Sequence, residues 1–538
     1  MSTVVEAPAT RTVARDAPVV TPPSLPPARP WWQAPRVVAA GSLLAIIIAS
    51  VWLRSHALTA KFWIDEGLSV GVAQHGFFDI PSVLRKDGSP PLYYFALHVW
   101  MALTGGDGES RTHALSLVFA VATVPAGWWA GRRLFGTRAG WATAALCATN
   151  PFLTYYAQET RMYALVSLLG LIASGAFAVA FGLRERRALP LFSLATVATI
   201  YTHNWGLFLV AGMGVAWIVL VRTALPDDRR GLVRDGVLAF GAVALLYAPW
   251  VPTLVFQTAH TGAPWADRPT WDATINGLQT VVGGTQTALL VGLVTVAGLL
   301  TLRQEGDGRP RHRAAVALVV TLCATMLLAW LVSQVSPAWS PRYFAVVVGP
   351  AVLLVGAGLV RYGRFGLVAL AVVLFLWFDP HERSIRGKSD AYRVAGTLKD
   401  EGYLHSGDLV VAVHPEYGPV MRYYLGDGYR WADAMGPVAD QWVFDWRDAL
   451  QRMKAAGPRR TFARLAPTVA SGQHLILIQP IIRSGRWGAP WTALIRRRAA
   501  QWQWVLDHDR RFQRLSAVPK FRTGPLPRGV RAVVYLHR

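Results

Sequence analysis

Apolar stretches recur along the first two-thirds of this chain, at roughly 37–53, 114–131, 139–153, 164–183, 188–202, 205–221, 236–252, 285–302, 314–334, 343–360 and 365–378. Each is long enough, or nearly so, for a helix rising 1.5 Å per residue to cross about 30 Å of hydrocarbon. Lipid offers no partner for backbone N–H and C=O groups, so segments of this kind cross as helices that satisfy themselves. The pattern predicts a polytopic α-helical membrane protein of about eleven spans. Composition agrees, with 53% hydrophobic and only 16% charged residues over 538 positions, a balance rare in soluble chains of this length. Both cysteines, Cys147 and Cys323, fall inside apolar runs. Neither a disulfide framework nor a thiolate metal site is supported.

Arginines orient the bundle. A net charge of +23 would suit nucleic acid in a soluble protein, but here the basic residues cluster in short loops between apolar runs. Membrane orientation accounts for them, and no nucleic-acid partner is expected. The run Pro91–Gly105 is apolar but short. If it stays outside as an amphipathic or re-entrant helix, one set of loops carries clusters such as Arg132, Arg133 and Arg138, or Arg222, Arg229, Arg230 and Arg234. The opposite loops then hold single arginines, Arg161, Arg268 and Arg342. This is the positive-inside pattern. It predicts a multi-pass plasma (inner) membrane protein with a cytoplasmic N-terminus and an extracytoplasmic C-terminus.

Three regions follow. Residues 1–36, rich in Pro, Ala and Thr, read as a disordered cytoplasmic tail before a retained signal anchor. Residues 37–379 hold the spans. From 380 to 538 the long apolar runs stop, and short strand patterns such as DLVVAVHP (408–415) and HLILIQP (474–480) alternate with helix-like stretches. That region reads as an extracytoplasmic α/β domain.

The chemistry-bearing residues gather on the external side. Asp65 and Glu66 lie just after the first span, where a carboxylate pair is costly unless it performs chemistry, binds a cation or caps a helix. Asp87 precedes Gly88, Ser89, Pro90 and Pro91, which is a turn signal as well as a position near the site. In AQETRMY, Arg161 has the planar fork that suits phosphate, while Glu159 either lines the site or pairs with Arg161 to fix the loop. His203, between two spans, could ligate a divalent cation, donate to a phosphate oxygen or cap a helix. Arg342 and Tyr343 begin the tenth span, as lipid-headgroup anchors or as part of the site. The loop 253–284 carries aromatics and charges in the manner of a lid.

The strings FWIDEG (62–67), DGSPPLYY (87–94), YYAQETRMYAL (155–165), THNWG (202–206) and SPRYF (340–344) together resemble the GT-C glycosyltransferases that use polyprenyl-phosphate sugars, in the branch of protein mannosyltransferases and aminoarabinose transferases. The resemblance covers about 37–378 and departs at Ser89, where many relatives carry histidine. It implies a GT-C module with external amphipathic helices. The implied activity is transfer of a mannose- or arabinose-like sugar from a polyprenyl-phosphate donor to a glycan, glycolipid or protein acceptor in the cell envelope, with inversion. It assigns the base role to the acidic pair, with Asp65 favoured by position and Glu66 beside it. Arg161 and Arg342 are assigned to the donor phosphate, and Glu159, His203, Tyr343 and Asp87 to the substrate cavity. A divalent cation, Mg or Mn, is an open expectation, with Glu66 and His203 as its candidate ligands. The competing readings are a transporter or flippase of lipid-linked sugars, and a non-catalytic scaffold of the same fold.

Overall fold

Every one of the apolar runs forms a helix in the computed structural model, which describes residues 3, 35–304, 310–481, 488–519 and 529–538. Almost all of the expected N-terminal tail lies outside the described residues. Among these residues, six helical stretches are long and apolar enough to cross a membrane, or seven if Trp271–Val281 and Thr285–Thr301, bent by 80°, count as one. Pro341–Asp400 is one of these stretches and holds two of the eleven expected runs. The run at 139–153 is divided. Its helix Thr137–Thr149 stops at Asn150, whose side chain accepts the Leu153 N–H at 3.0 Å and caps the short helix Pro151–Tyr156. A proline at the first helical position starts a new helix instead of extending the old one.

Leu92–Thr104 buries Tyr93, Tyr94 and Leu97 on one face and leaves Val99 and Leu103 exposed. It ends at Gly105, whose φ of 72° is the left-handed conformation that only glycine adopts without strain. Its 13 residues reach about 20 Å, less than the hydrocarbon thickness. Tyr163–Phe177 and Ala345–Leu359 pack closely through small residues, and a Cβ on Gly349 would meet Leu171 Cα at 2.4 Å.

Beyond the last of the strongly apolar helices, Gly363–Trp377, the chain builds a six-stranded mixed sheet. Its strands are β1 (Leu409–Ala412), β2 (Arg430–Asp433), β3 (Gly436–Pro437), β4 (His474–Ile481), β5 (Phe512–Val518) and β6 (Gly529–His537), in the order β3-β2-β1-β4-β6-β5. β2, β1 and β4 run parallel, and β6 and β5 close one side antiparallel. β1 and β4 are almost wholly apolar and buried, as strands covered on both faces must be. The sheet and the helices belong to one unit, Ala45–Arg538.

One short helix joins the two kinds of structure. Ile64–Ala73 carries the acidic pair, and Phe62, Trp63, Ile64, Leu68 and Val70 enter the same apolar core as Val410, Val420, Ile476 and Val533 of the sheet region. Glycines allow the approach. A Cβ on Gly67 would lie 2.6 Å from Val420 Cβ, and one on Gly71 would lie 1.8 Å from the Trp442 carbonyl oxygen. In an open helix, Gly→Ala would gain about 1 kcal/mol. Gly71→Ala is instead expected to destabilise the protein by about 1–3 kcal/mol, because the backbone at 442 has to move. Thermal unfolding in detergent reads the sign directly, and a stabilised variant would refute the close approach.

Candidate functional site

Neighbouring residues on a helix point about 100° apart, and here that angle sends two adjacent carboxylates to different places. Glu66 turns inward and is wholly buried. Its Oε1 accepts from His113 Nε2 at 2.6 Å and from Thr160 N–H at 2.8 Å, and its Oε2 accepts from Lys388 Nζ at 3.0 Å and Trp63 N–H at 3.3 Å. Lys388 also reaches Glu159 Oε1 at 3.3 Å, which accepts in addition from Trp63 Nε1 at 2.6 Å. His113 Nδ1 faces the Leu58 carbonyl at 2.7 Å, so both ring nitrogens meet acceptors and both donate. Two cations then balance two anions. Burial alone would raise the Glu66 pKa, but Lys388 and His113 outweigh it and hold the carboxyl well below its ordinary range.

Asp65 turns the other way, into a cavity of about 330 Å³. Arg342 Nη1 donates to its Oδ2 at 2.5 Å, and Arg161 Nε lies 4.0 Å from the same oxygen. Arg161 is held in place by donating to the Asp65 carbonyl at 3.2 Å and Ser69 Oγ at 2.9 Å. Trp265 and Tyr343 lie 5.2 and 5.7 Å from the Arg342 guanidinium, at cation–π range. The Nε atoms of both arginines are buried and make no hydrogen bond among the described residues. The two guanidinium groups thus keep donor capacity for an incoming anion.

Asp87, Ser89, His203 and Tyr343 complete this wall. Asp87 ends the helix Ile80–Asp87, and Gly88, with φ 100°, turns the chain where a Cβ would press on Thr261. Asn204 Nδ2 donates to Gly88 O at 3.1 Å and Gln257 Nε2 to Ser89 O at 3.3 Å, fixing the turn against two other segments. Burial raises the Asp87 pKa, partly offset by its hydrogen bond with Ser89 and by Arg161. His203 packs on Tyr343 with ring centroids 4.7 Å apart. Burial, with Arg161 and Arg342 nearby, lowers its pKa to about 3. The ring is therefore neutral. Its Nδ1 accepts the Trp205 N–H at 3.1 Å, which leaves the proton on Nε2 as a donor.

The structure brings Asp65, Asp87, Arg161, His203, Arg342 and Tyr343 to one cavity. It places Glu66 and Glu159 elsewhere. Glu159 pairs with Lys388 and not with Arg161, because Arg161 is drawn to Asp65. Glu66 and His203 do not come together as cation ligands: both Glu66 oxygens are engaged by protein donors, and His203 lies in a cavity lined by Arg161 and Arg342, whose charges disfavour a cation. Sequence reading missed Lys388, one of only six lysines in the chain, and His113. It also missed Glu416 and Trp446, which line the cavity from the sheet region. Glu416 comes just past the end of β1, where parallel strands commonly place binding groups.

No protein-family model matches the chain, and no curated protein matches it in sequence. Solved structures do share its shape. ArnT from Cupriavidus metallidurans, bound to undecaprenyl phosphate, has a TM-score of 0.58 at 14% identity, covering 92% of this chain and 98% of that one. The archaeal oligosaccharyltransferase AglB from Archaeoglobus fulgidus, in complex with an inhibitory peptide and a dolichol-phosphate, has 0.53 at 11% identity, covering 83% and 70%. The arabinofuranosyltransferase AftD from Mycobacteria has 0.51 at 14% identity, covering 92% of this chain and 40% of that one. The chain has the GT-C fold. With 92% of its length covered, the likeness to ArnT extends beyond residue 378 into the sheet region.

The buried network should reveal itself in acid. A carboxylate with a depressed pKa contributes stability above its unfolded pKa, and the contribution is lost as pH falls below about 4. Glu66→Gln leaves Lys388 and His113 undercompensated, and is expected to cost about 3–5 kcal/mol at neutral pH. It should also flatten the acid limb. Unfolding midpoints measured against pH for both proteins check this, and equal acid sensitivity would remove Glu66 as the titrating group.

Proposed function

We propose that the chain is an integral-membrane glycosyltransferase that moves a sugar from a polyprenyl-phosphate donor to an acceptor hydroxyl in the cell envelope. The observation that carries this reading is Asp65 facing the cavity between Arg161 and Arg342. The fold is shared with proteins solved with undecaprenyl phosphate and dolichol-phosphate, and such a lipid phosphate suits two guanidinium groups with unused donors. Convergence in a single cavity favours transfer over the translocation expected of a flippase.

Asp65 has two roles in this reading. Paired with Arg342, it neutralises the cavity. When the donor phosphate takes the guanidinium forks, the Asp65 carboxylate is released to act as base. The acceptor hydroxyl then gives its proton to Asp65 as its oxygen bonds to the anomeric carbon. The bond from that carbon to the phosphate oxygen breaks, and its electron pair leaves with the lipid phosphate. Arg161 and Arg342 stabilise the growing charge, with His203 Nε2–H as a neutral donor beside them. Displacement from the opposite face inverts the anomeric centre. The sugar is mannose- or arabinose-like, and the acceptor is a glycan, glycolipid or protein.

Asp65→Asn preserves shape but cannot take the proton. Transfer is expected to fall by about 10²–10⁴-fold with donor binding retained, whereas Asp87→Asn should lose less. The opposite ranking would move the base to Asp87. Arg161→Lys and Arg342→Lys keep charge but lose the fork, and a charged hydrogen bond of this kind is worth about 1.5–3 kcal/mol. Turnover at saturating polyprenyl-phosphate sugar should drop in both, and wild-type rates in both would sink the phosphate clamp.

The topology is tested separately. In a Cys323→Ser background, cysteines introduced at Gly106 and near residue 538 should both react with an impermeant maleimide applied to intact cells. Protection of both sites would make 91–105 a span and invert the arrangement, and protection of Gly106 alone would break the parity argument.

A further inference from the structure

At the end of β1 opposite Glu416, three potential metal ligands converge. His405 stands on the turn leading into the sheet, Asp408 immediately precedes β1, and His474 opens β4. His405 Nδ1 and His474 Nδ1 are 3.2 Å apart. Asp408 Oδ2 lies 3.3 Å from His474 Nδ1 and 3.7 Å from His405 Nδ1. Among the described residues, no other three His, Cys, Asp or Glu side chains bring their ligand atoms this close together.

These separations have a simple geometric meaning. Zinc holds imidazole nitrogen at about 2.0–2.1 Å and carboxylate oxygen at about 2.0–2.2 Å in a tetrahedron, whose ligand atoms are then about 3.3–3.5 Å apart. The measured distances bracket that edge length. The carboxylate is also fixed in advance. Asp408 is fully buried, its Oδ1 accepts the His474 N–H at 2.8 Å, and its Oδ2 accepts the His405 N–H at 2.7 Å. Such backbone donors orient a ligand without occupying all of its lone pairs. The His405 side chain is 64% exposed, so one side of the cluster opens to solvent.

We propose that His405, Asp408 and His474 bind one divalent transition-metal ion of the zinc class, through the two Nδ1 atoms and Asp408 Oδ2, with water at the fourth position. Two imidazoles and one carboxylate favour zinc over magnesium or calcium, which prefer all-oxygen sites. The ion replaces the proton that the two facing Nδ1 atoms otherwise share. It clamps the turn at 405–408 to the first residue of β4, and with it the edge where β1 and β4 begin. The inference is independent of the glycosyltransferase reading, because neither the cavity nor Asp65 takes part.

The test uses the full chain in detergent, purified with an affinity tag free of histidine, stripped by chelator and titrated with zinc alone. One zinc per chain at micromolar concentration is expected, unaffected by millimolar magnesium, and cobalt(II) should give the intense visible absorption of a tetrahedral site. His405→Ala removes an exposed ring, so the fold is retained; its affinity should fall at least tenfold, as should that of His474→Ala. Zinc should raise the unfolding midpoint of the wild type but not of the double variant. Failure of the wild type to bind zinc, or unchanged stoichiometry and affinity in the double variant, would overturn the site.

Discussion

The architecture around the cavity depends on one buried ionic cluster, Glu66 and Glu159 with Lys388 and His113. Glu66 belongs to the helix after the first span, Glu159 to the segment between Pro151–Tyr156 and Tyr163–Phe177, His113 to Glu109–Phe135, and Lys388 to the chain after Gly363–Trp377. Glu66 and Lys388 are 322 positions apart in sequence. A buried charge without its partner is strongly destabilising, so the cluster tolerates only the arrangement in which all four members meet. What it supplies is specificity of assembly more than net stability. Four segments that the bilayer alone would leave free to slide are set in one register.

That register aims Asp65. A surface loop could not present a carboxylate reproducibly at the junction of two guanidinium groups, because long side chains in water lose too much entropy to hold one geometry. Here Glu66 anchors the helix on one side and Gly67 and Gly71 let the sheet region press on it from another. Only the direction occupied by Arg161 and Arg342 is left to Asp65. The two adjacent acids are therefore a division of labour that the helix period imposes, with one residue building the site and the other facing it.

Much of this was legible in the sequence, because apolar runs and the charges beside them leave strong local marks. Hydropathy located the long apolar runs but not the shorter helices Ile64–Ala73 and Trp271–Val281, and Asp65, Asp87, Arg161, His203 and Arg342 stood out as polar residues set beside apolar runs. Strands β1 and β4 were readable as continuous apolar runs. β2, β3 and the β5–β6 pair were not, since their alternation is short and broken, with an irregularity between Arg514 and Ser516. Pairwise relations were the least legible. The FWIDEG string does not say which acid faces inward, and Lys388 in SIRGKSD carries no local sign that it neutralises Glu66 and Glu159. The division of the run 139–153 was also beyond hydropathy, which weighs residues but does not see the Asn150–Pro151 break.

The sheet region is more than an appendage to the helices. It places Glu416 and Trp446 on the cavity wall, and it grips the loop above the cavity through backbone bonds. The Asp448 N–H donates to His260 O at 2.8 Å, and the Trp491 N–H to Pro264 O at 3.1 Å. The Trp446 N–H donates to Lys86 O at 2.9 Å, next to Asp87. A loop carrying Trp265 against Arg342 is thereby held over the site by the same region that packs on the Asp65 helix. Displacement by a hydroxyl requires that water be kept from the anomeric carbon while the acceptor is admitted. A loop fastened at separate points by the sheet region meets the first need.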